Sequence, residues 1–265
     1  MTMISSSEFC RRLLAGDALP PDLTVRGWID IRDCPGLTAL PDGLTVGSDL
    51  WLTDCPALTM LPSGLSVAGS LDIRDCPRLT ALPDGLTVRD SLDIRDCPGL
   101  TALPPGLTVG GSLWLTGCPA LTALPPDLTV GDSLDLRDCP GLTALPPGLT
   151  VGGRLRLTEC PALMALPDGL TVMDDLWLTD CPGITALPPG LTVGGGLWLT
   201  DCPGLDRLCV GTDSRGYRFY RVRMRGGVHV IAGCRNFTAA QARAHWPEGT
   251  ECRVLAEKCI KREDG

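Results

Sequence analysis

Apolar residues recur along this chain with a period of 21, and the polar residues between them keep the same phase. From Leu113 the apolar positions are Leu113, Leu115, Cys118, Leu121, Leu124, Leu128 and Val130. From Leu50 they are Leu50, Leu52, Cys55, Leu58, Leu61, Leu65 and Val67. A partial unit precedes the first full one, with Leu19, Leu23 and Val25 in phase. One such unit has too few apolar positions to enclose a core, but stacked units bury one another's columns. Leu113-Trp114-Leu115 alternates with the period of a half-buried strand. Leu128-Thr129-Val130 alternates likewise and predicts a second short strand on the opposite side. The Leu-Pro step between them disfavours helix at the residue before proline. The pattern therefore predicts a solenoid with a parallel sheet on one face. The other face should be extended, polyproline-like or short-stranded, with little helix. Nine coils at the usual strand spacing would extend about 43 Å.

A cysteine marks every coil: Cys34, Cys55, Cys76, Cys97, Cys118, Cys139, Cys160, Cys181 and Cys202. Neighbouring coils bring α-carbons within disulfide range, but parallel side-chain directions suit a bridge poorly and nine is odd. C-x-x-C pairs of the metal-binding kind do not occur in this ladder. The column is expected to hold buried thiols that act as small apolar groups and weak donors.

The phrase Leu50-Trp51-Leu52-Thr53-Asp54-Cys55-Pro56-Ala57-Leu58-Thr59-Met60-Leu61-Pro62 resembles the bacterial leucine-rich repeats, and the resemblance covers about Leu19 to Leu208. The fuller phrase Leu-Pro-x-Gly-Leu-Thr-Val-Gly-Gly-x-Leu-x-Leu is similar to repeats in uncharacterised bacterial and phage proteins. The resemblance implies a leucine-rich-repeat solenoid, curved, with its parallel sheet lining a concave binding face. Cys stands where many members of that family carry Asn, an exchange also known within the family.

The residue between the two strand leucines points out of the core. Along the coils it is Asp30, Trp51, Asp72, Asp93, Trp114, Asp135, Arg156, Trp177 and Trp198. Two residues on, on the same face, come Arg32, Thr53, Arg74, Arg95, Thr116, Arg137, Thr158, Thr179 and Thr200. Each Asp is followed by Arg and each Trp by Thr. An unrelieved Asp column would repel itself, so the linkage predicts Asp–Arg pairs that stabilise the ladder. Exposed tryptophans are enriched where partners dock, and Trp177 with Trp198 should form one patch. Partner contact is assigned to Trp51, Trp114, Trp177, Trp198, Asp72, Asp93, Asp135, Arg74, Arg95, Arg137 and Arg156, with pure ladder stabilisation as the alternative. The threonine columns lack the paired spacing of ice-binding solenoids.

Open solenoids need caps. Residues 1–18 contain Ser5-Ser6-Ser7 before Glu8-Phe9-Cys10-Arg11-Arg12-Leu13-Leu14, which reads as a capped helix covering the first coil with Phe9, Leu13 and Leu14. The solenoid occupies 19–209. Residues 210–265 differ in composition: Tyr217–Arg225 and Val228–Ala232 predict a hairpin. Thr238 and Gln241 predict a capping box for a helix from Ala239 to about Trp246, and Cys252–Ala256 is expected to return as a strand. The module is α+β, ββαβ-like, and small enough to be marginal alone, so it is expected to lean on the last coil. The stretch from Ala232 to Thr238, with Ala242, His245 and Trp246, resembles a small module that follows such repeats in phage and bacterial proteins.

Charge separates the two regions. Up to Cys209 the chain carries 12 Lys+Arg against 25 Asp+Glu, and beyond it 11 against 6. Arg218, Arg221, Arg223 and Arg225 among Tyr217, Phe219 and Tyr220 offer a possible nucleic-acid contact. The alternative is a strand packed against the acidic solenoid. Cys234, His245, Cys252 and Cys259 match no tight zinc spacing, and no metal or cofactor is expected. His229 and His245 are the only histidines, so Cys234 with His245 is the one pairing to weigh for catalysis. No apolar run approaches the length that spans a membrane, and 1–17 lacks the blocks of a secretory signal. The reading is a cytoplasmic protein, not an enzyme, that binds a protein partner through the concave face. Self-association is a further option. The alternative function is an effector delivered into a host cell, whose basic module also acts, by binding nucleic acid.

Overall fold

A computed structural model of the chain describes residues 2–224, 227–232 and 235–261. Four-residue strands, from Ile29–Arg32 through Leu113–Thr116 to Leu197–Thr200, form a nine-stranded parallel sheet. Register advances by one coil at each step: Leu113 pairs with Leu92 on one side and Leu134 on the other. Two-residue strands such as Thr129–Val130 build a second parallel sheet opposite. Between them the chain is irregular and turns tightly at Leu-Pro-x-Gly, where Gly148 takes a φ of 69° that favours glycine. All seven apolar positions of the coils from Leu50 and Leu113 are buried. Each coil therefore contributes its share of one continuous core, at about 1.5–3 kcal/mol per fully buried leucine.

The thiol column lies inside. Cysteines 55 to 202 are free and buried, while Cys34 in the first coil is partly exposed. Cys139 donates to the carbonyls of Arg137 (3.3 Å) and, one coil back, Leu115 (3.8 Å). Burial pushes Cys97 and Cys118 up to about 12, so the unreactive thiol form prevails near neutrality.

The N-terminal cap is helix α1, Ser6–Leu14, with the Ser5 hydroxyl accepting from the Glu8 backbone N–H. Phe9 enters the core and Leu13 packs beside it. Leu14 does not cover the coil as the sequence suggested: it is 69 % exposed, because the helix ends there with that face turned outward. An unexpected strand, Thr2–Ser5, pairs in parallel with Leu23–Arg26 and extends the second sheet by one member.

The C-terminal module is a four-stranded antiparallel sheet, Cys209–Thr212, Arg218–Met224, Gly227–Ala232 and Arg235–Thr238, followed by α2 (Ala239–His245) and α3 (Glu251–Lys261). The expected return strand at Cys252–Ala256 is instead part of α3. Leu255, Ala256 and Cys259 are buried along one face of it, the spacing of a helix rather than a strand. Thr250 accepts from the Arg253 backbone N–H (3.3 Å) and so caps it. The capping box at Thr238 and Gln241 is present. The sheet is buried on both faces. Tyr220, Val222 and Ile231 join the solenoid core, whereas Phe219 and Val230 pack with Ala242, Leu255, Ala256 and Cys259 under the helices.

Candidate functional site

The face of the nine-stranded sheet carries the predicted columns, and the structure separates them into two kinds. The Asp–Arg positions are consumed by one another. Arg74 holds Asp72 with two hydrogen bonds (2.7 and 2.5 Å) and reaches Asp93 on the next coil (3.4 Å). Arg95 pairs with Asp93 (2.6 Å) and Arg137 with Asp135 (2.5 Å), while Arg156 comes within 3.8 Å of Asp135. Asp93 and Asp135 are almost fully covered (7 % and 8 % exposed). Their carboxylates push the Arg95 and Arg137 guanidiniums further up from an already high pKa. This middle stretch is neutralised and braced across coils.

The tryptophans are not consumed in this way. Trp177 and Trp198, neighbours in register, stack with ring centroids 4.4 Å apart and planes 13° from parallel. The Arg156 guanidinium lies 4.9 Å from the centre of the Trp177 ring, a cation–π arrangement. Among the described residues the indole N–H groups of both rings have no hydrogen-bond partner, and both are shielded from solvent. At the other end, Trp28, 52 % exposed, lies 5.6 Å from Trp51, with Arg32 at 5.9 Å from the Trp51 ring. Trp114 sits between them, flanked in register by Asp93 and Asp135. The face thus presents an aromatic patch at each end and a single indole midway.

A second line of carboxylates escaped sequence reasoning. Asp33, Asp54, Asp75, Asp96, Asp138, Glu159, Asp180 and Asp201 each end a long strand in the left-handed region, with φ of 49–55°. With the following prolines, Pro35, Pro56, Pro77, Pro98 and Pro119, the first five line an open groove of about 820 Å³ along the rim of the sheet. From Asp33 to Asp180, these residues have no ion pair or side-chain hydrogen bond to a described residue. Left-handed backbone favours Asp, Asn and Gly, and Gly117 fills the place once. That preference alone does not account for Glu159 or for the lack of Asn in the column. The signal was available as the acidic residue before eight of the nine ladder cysteines.

The basic module places its candidates apart. Arg218 lies in a cleft with Asp201, Pro203 and Tyr220, at the junction with the last coil. Arg221 and Arg223 stand opposite Val230 and Val228 in the strand register. Arg225 and Cys234 fall outside the described residues. His245 stacks on Phe237 at 4.9 Å. Cys252 donates to Asp213 (3.5 Å), and Cys259 is buried in the module core. Among the described residues no three His, Cys, Asp or Glu gather as metal ligands, and no helix is long and apolar enough to cross a membrane.

In-register leucine ladders over nine coils of 21 residues define a β-solenoid repeat protein of leucine-rich-repeat type. Comparison with known proteins yields no match to a family, to a curated protein or to a solved structure.

Proposed function

We propose that this chain is a binding scaffold, not a catalyst, that holds a protein partner on the face of its nine-stranded sheet. The observation that carries the reading is the stacked Trp177–Trp198 pair with Arg156 laid upon it. Two large, half-buried rings stacked on the sheet face are the kind of anchor that dominates protein interfaces. Trp51 with Trp28 supplies a second anchor and Trp114 a third. The Asp–Arg pairs of the middle coils support the rigid ladder between anchors rather than supplying free charge. The unpaired rim carboxylates add a negative border, which favours a partner with basic residues beside its apolar contact and speeds their encounter. The likeness of the repeat phrase to bacterial and phage proteins supports a cytoplasmic scaffold of such a cell, with delivery into a host as the variant.

The test is affinity capture from a lysate of the cells that make the protein. The wild type is compared with a folded variant carrying Trp51→Ala, Trp114→Ala, Trp177→Ala and Trp198→Ala. A protein held by the wild type and lost by the variant is expected. Equal retention by both, or no retained protein, contradicts the reading.

A further inference from the structure

The C-terminal module contains a pocket that the scaffold reading does not use. It has a volume of about 370 Å³ and is lined by Asp213, Arg215, Tyr217, Phe219, Ala232, Arg235, Phe237, His245 and Trp246. That volume is in the range of small-ligand sites, roughly 300–1,000 Å³. The lining arises from strand alternation. Phe219 and Ala232 are register partners, Ala232 pairs with Arg235, and Phe237 follows Arg235 on the same side. The end of α2 adds His245 and Trp246. Their rings form one assembly: Phe237 lies 4.9 Å from His245 and 4.8 Å from Trp246, and Trp246 is 5.3 Å from Phe219.

The polar side of the pocket is equally organised. The Asp213 side chain is 1 % exposed. It accepts from the backbone N–H groups of Arg215 (3.0 Å) and Tyr217 (2.9 Å), from the Arg215 guanidinium (3.1 and 2.8 Å), and from the Cys252 thiol (3.5 Å). Its role is to brace Arg215, whose guanidinium also lies 5.0 Å from the Tyr217 ring centre. Arg215 remains 63 % exposed. Arg235 is exposed and has no ion pair with a described residue. Arg215 neutralises Asp213, the one carboxylate among the described lining residues, and Arg235 leaves the mouth with a net positive charge. A cationic ligand, which aromatic walls alone would welcome, is disfavoured here. A purely apolar ligand would leave both guanidiniums unused.

We infer that this pocket binds a nucleotide unit, with the planar base against the aromatic walls and the phosphate on Arg215 and Arg235. Stacking on aromatic rings accepts any base, and guanidiniums match phosphate geometry. The same unit is presented by a free nucleotide or by a residue of single-stranded nucleic acid. The pocket is independent of the ladder face, and either reading survives the failure of the other.

The experiment titrates the full chain with AMP, GMP, CMP and UMP, with adenosine, with inorganic phosphate, and with oligouridylate and oligodeoxythymidylate, following Trp fluorescence and calorimetry. Arg235→Glu and Tyr217→Ala alter exposed side chains, and Arg78→Glu, on a solenoid coil, is the control. Each variant is first shown to melt like the wild type. Saturable nucleotide binding that weakens about tenfold or more in both pocket variants, and not in the control, is expected, since a tenfold loss is only about 1.4 kcal/mol. Tighter binding of oligomers, with a steep salt dependence, assigns the unit to a strand. Equal or tighter binding of mononucleotides assigns it to free nucleotide. No binding by any probe, binding unchanged in both variants, or inorganic phosphate competing as well as the nucleotides overturns the assignment.

Discussion

Two lines of carboxylates run along the solenoid, three residues apart in the coils that carry both, and the chain treats them in opposite ways. Asp72, Asp93 and Asp135, on the sheet face, are each met by an arginine two residues later and largely covered. Asp54, Asp75 and Asp96, on the rim, are exposed and have no such partner. The strand alternation explains the first case: residues i and i+2 share a face, so Arg can fold back on Asp at no cost in register. The rim residue ends the strand in left-handed backbone, and the next residue is a buried thiol, so no side chain on its own coil is placed to neutralise it. The face column is therefore structural charge, and the rim column is available charge.

The largest effect should come from the thiols directly behind the rim. Burial raises Cys97 and Cys118 to about 12 and Cys139 to about 11, with nearby rim carboxylates adding to the rise. Raised acids bind protons more tightly folded than unfolded. Their stabilisation is complete below the unfolded thiol value near 9 and is lost as pH climbs toward 12. Thermal melts should show a fall in Tm as pH rises from 9 toward 12. An unchanged Tm at pH 10.5 would contradict the buried ladder.

Next in size is Arg95→Ala, which leaves Asp93 covered and short of its main partner. Breaking such a pair costs about 2 kcal/mol once the partial exposure of the arginine is discounted. Urea unfolding measures it, and a loss below about 0.5 kcal/mol would place Asp93 with the rim residues. On the rim the sign is set by backbone and charge separately. Asp75→Ala should lose about 1 kcal/mol, the cost of left-handed backbone for an ordinary side chain. Asp75→Asn keeps that preference and removes like-charge repulsion, so stability should be equal or higher by a few tenths of a kcal/mol. A loss for Asn equal to that for Ala would mean that the carboxylate has a structural partner after all.

Much of the solenoid was legible because every coil repeats the same answer. The seven apolar columns, the strand at Leu113-Trp114-Leu115, the short strand at Thr129–Val130 and the Asp-to-Arg linkage all follow from a period that nine copies make unambiguous. The ends lack this redundancy. Thr2–Ser5 becomes a strand only because the coil edge at Leu23–Arg26 offers it a ladder. Cys252–Ala256 is too short a window to separate two-residue from helical spacing, and Cys259, which decides it, lies beyond the window. Arg218 drew attention as part of a basic run. Arg215 and Arg235 did not, because what unites them is the pairing of Ala232 with Arg235 and the brace from Asp213, which are tertiary facts. The rim was missed for the opposite reason: its Asp precedes seven of the nine ladder cysteines and so looks like part of the motif.

The central claim is that the aromatic anchors and the rim serve one partner on one face. The direct measurement is quantitative capture of that partner by three folded proteins: the wild type, Trp177→Ala with Trp198→Ala, and Asp54→Asn with Asp75→Asn and Asp96→Asn. The account predicts that the tryptophan variant loses the partner at all salt concentrations. The rim variant should keep it, with slower association and a weaker dependence on salt. Retention of the partner by the tryptophan variant at wild-type affinity would contradict the account and leave the Trp177–Trp198 pair as ladder structure.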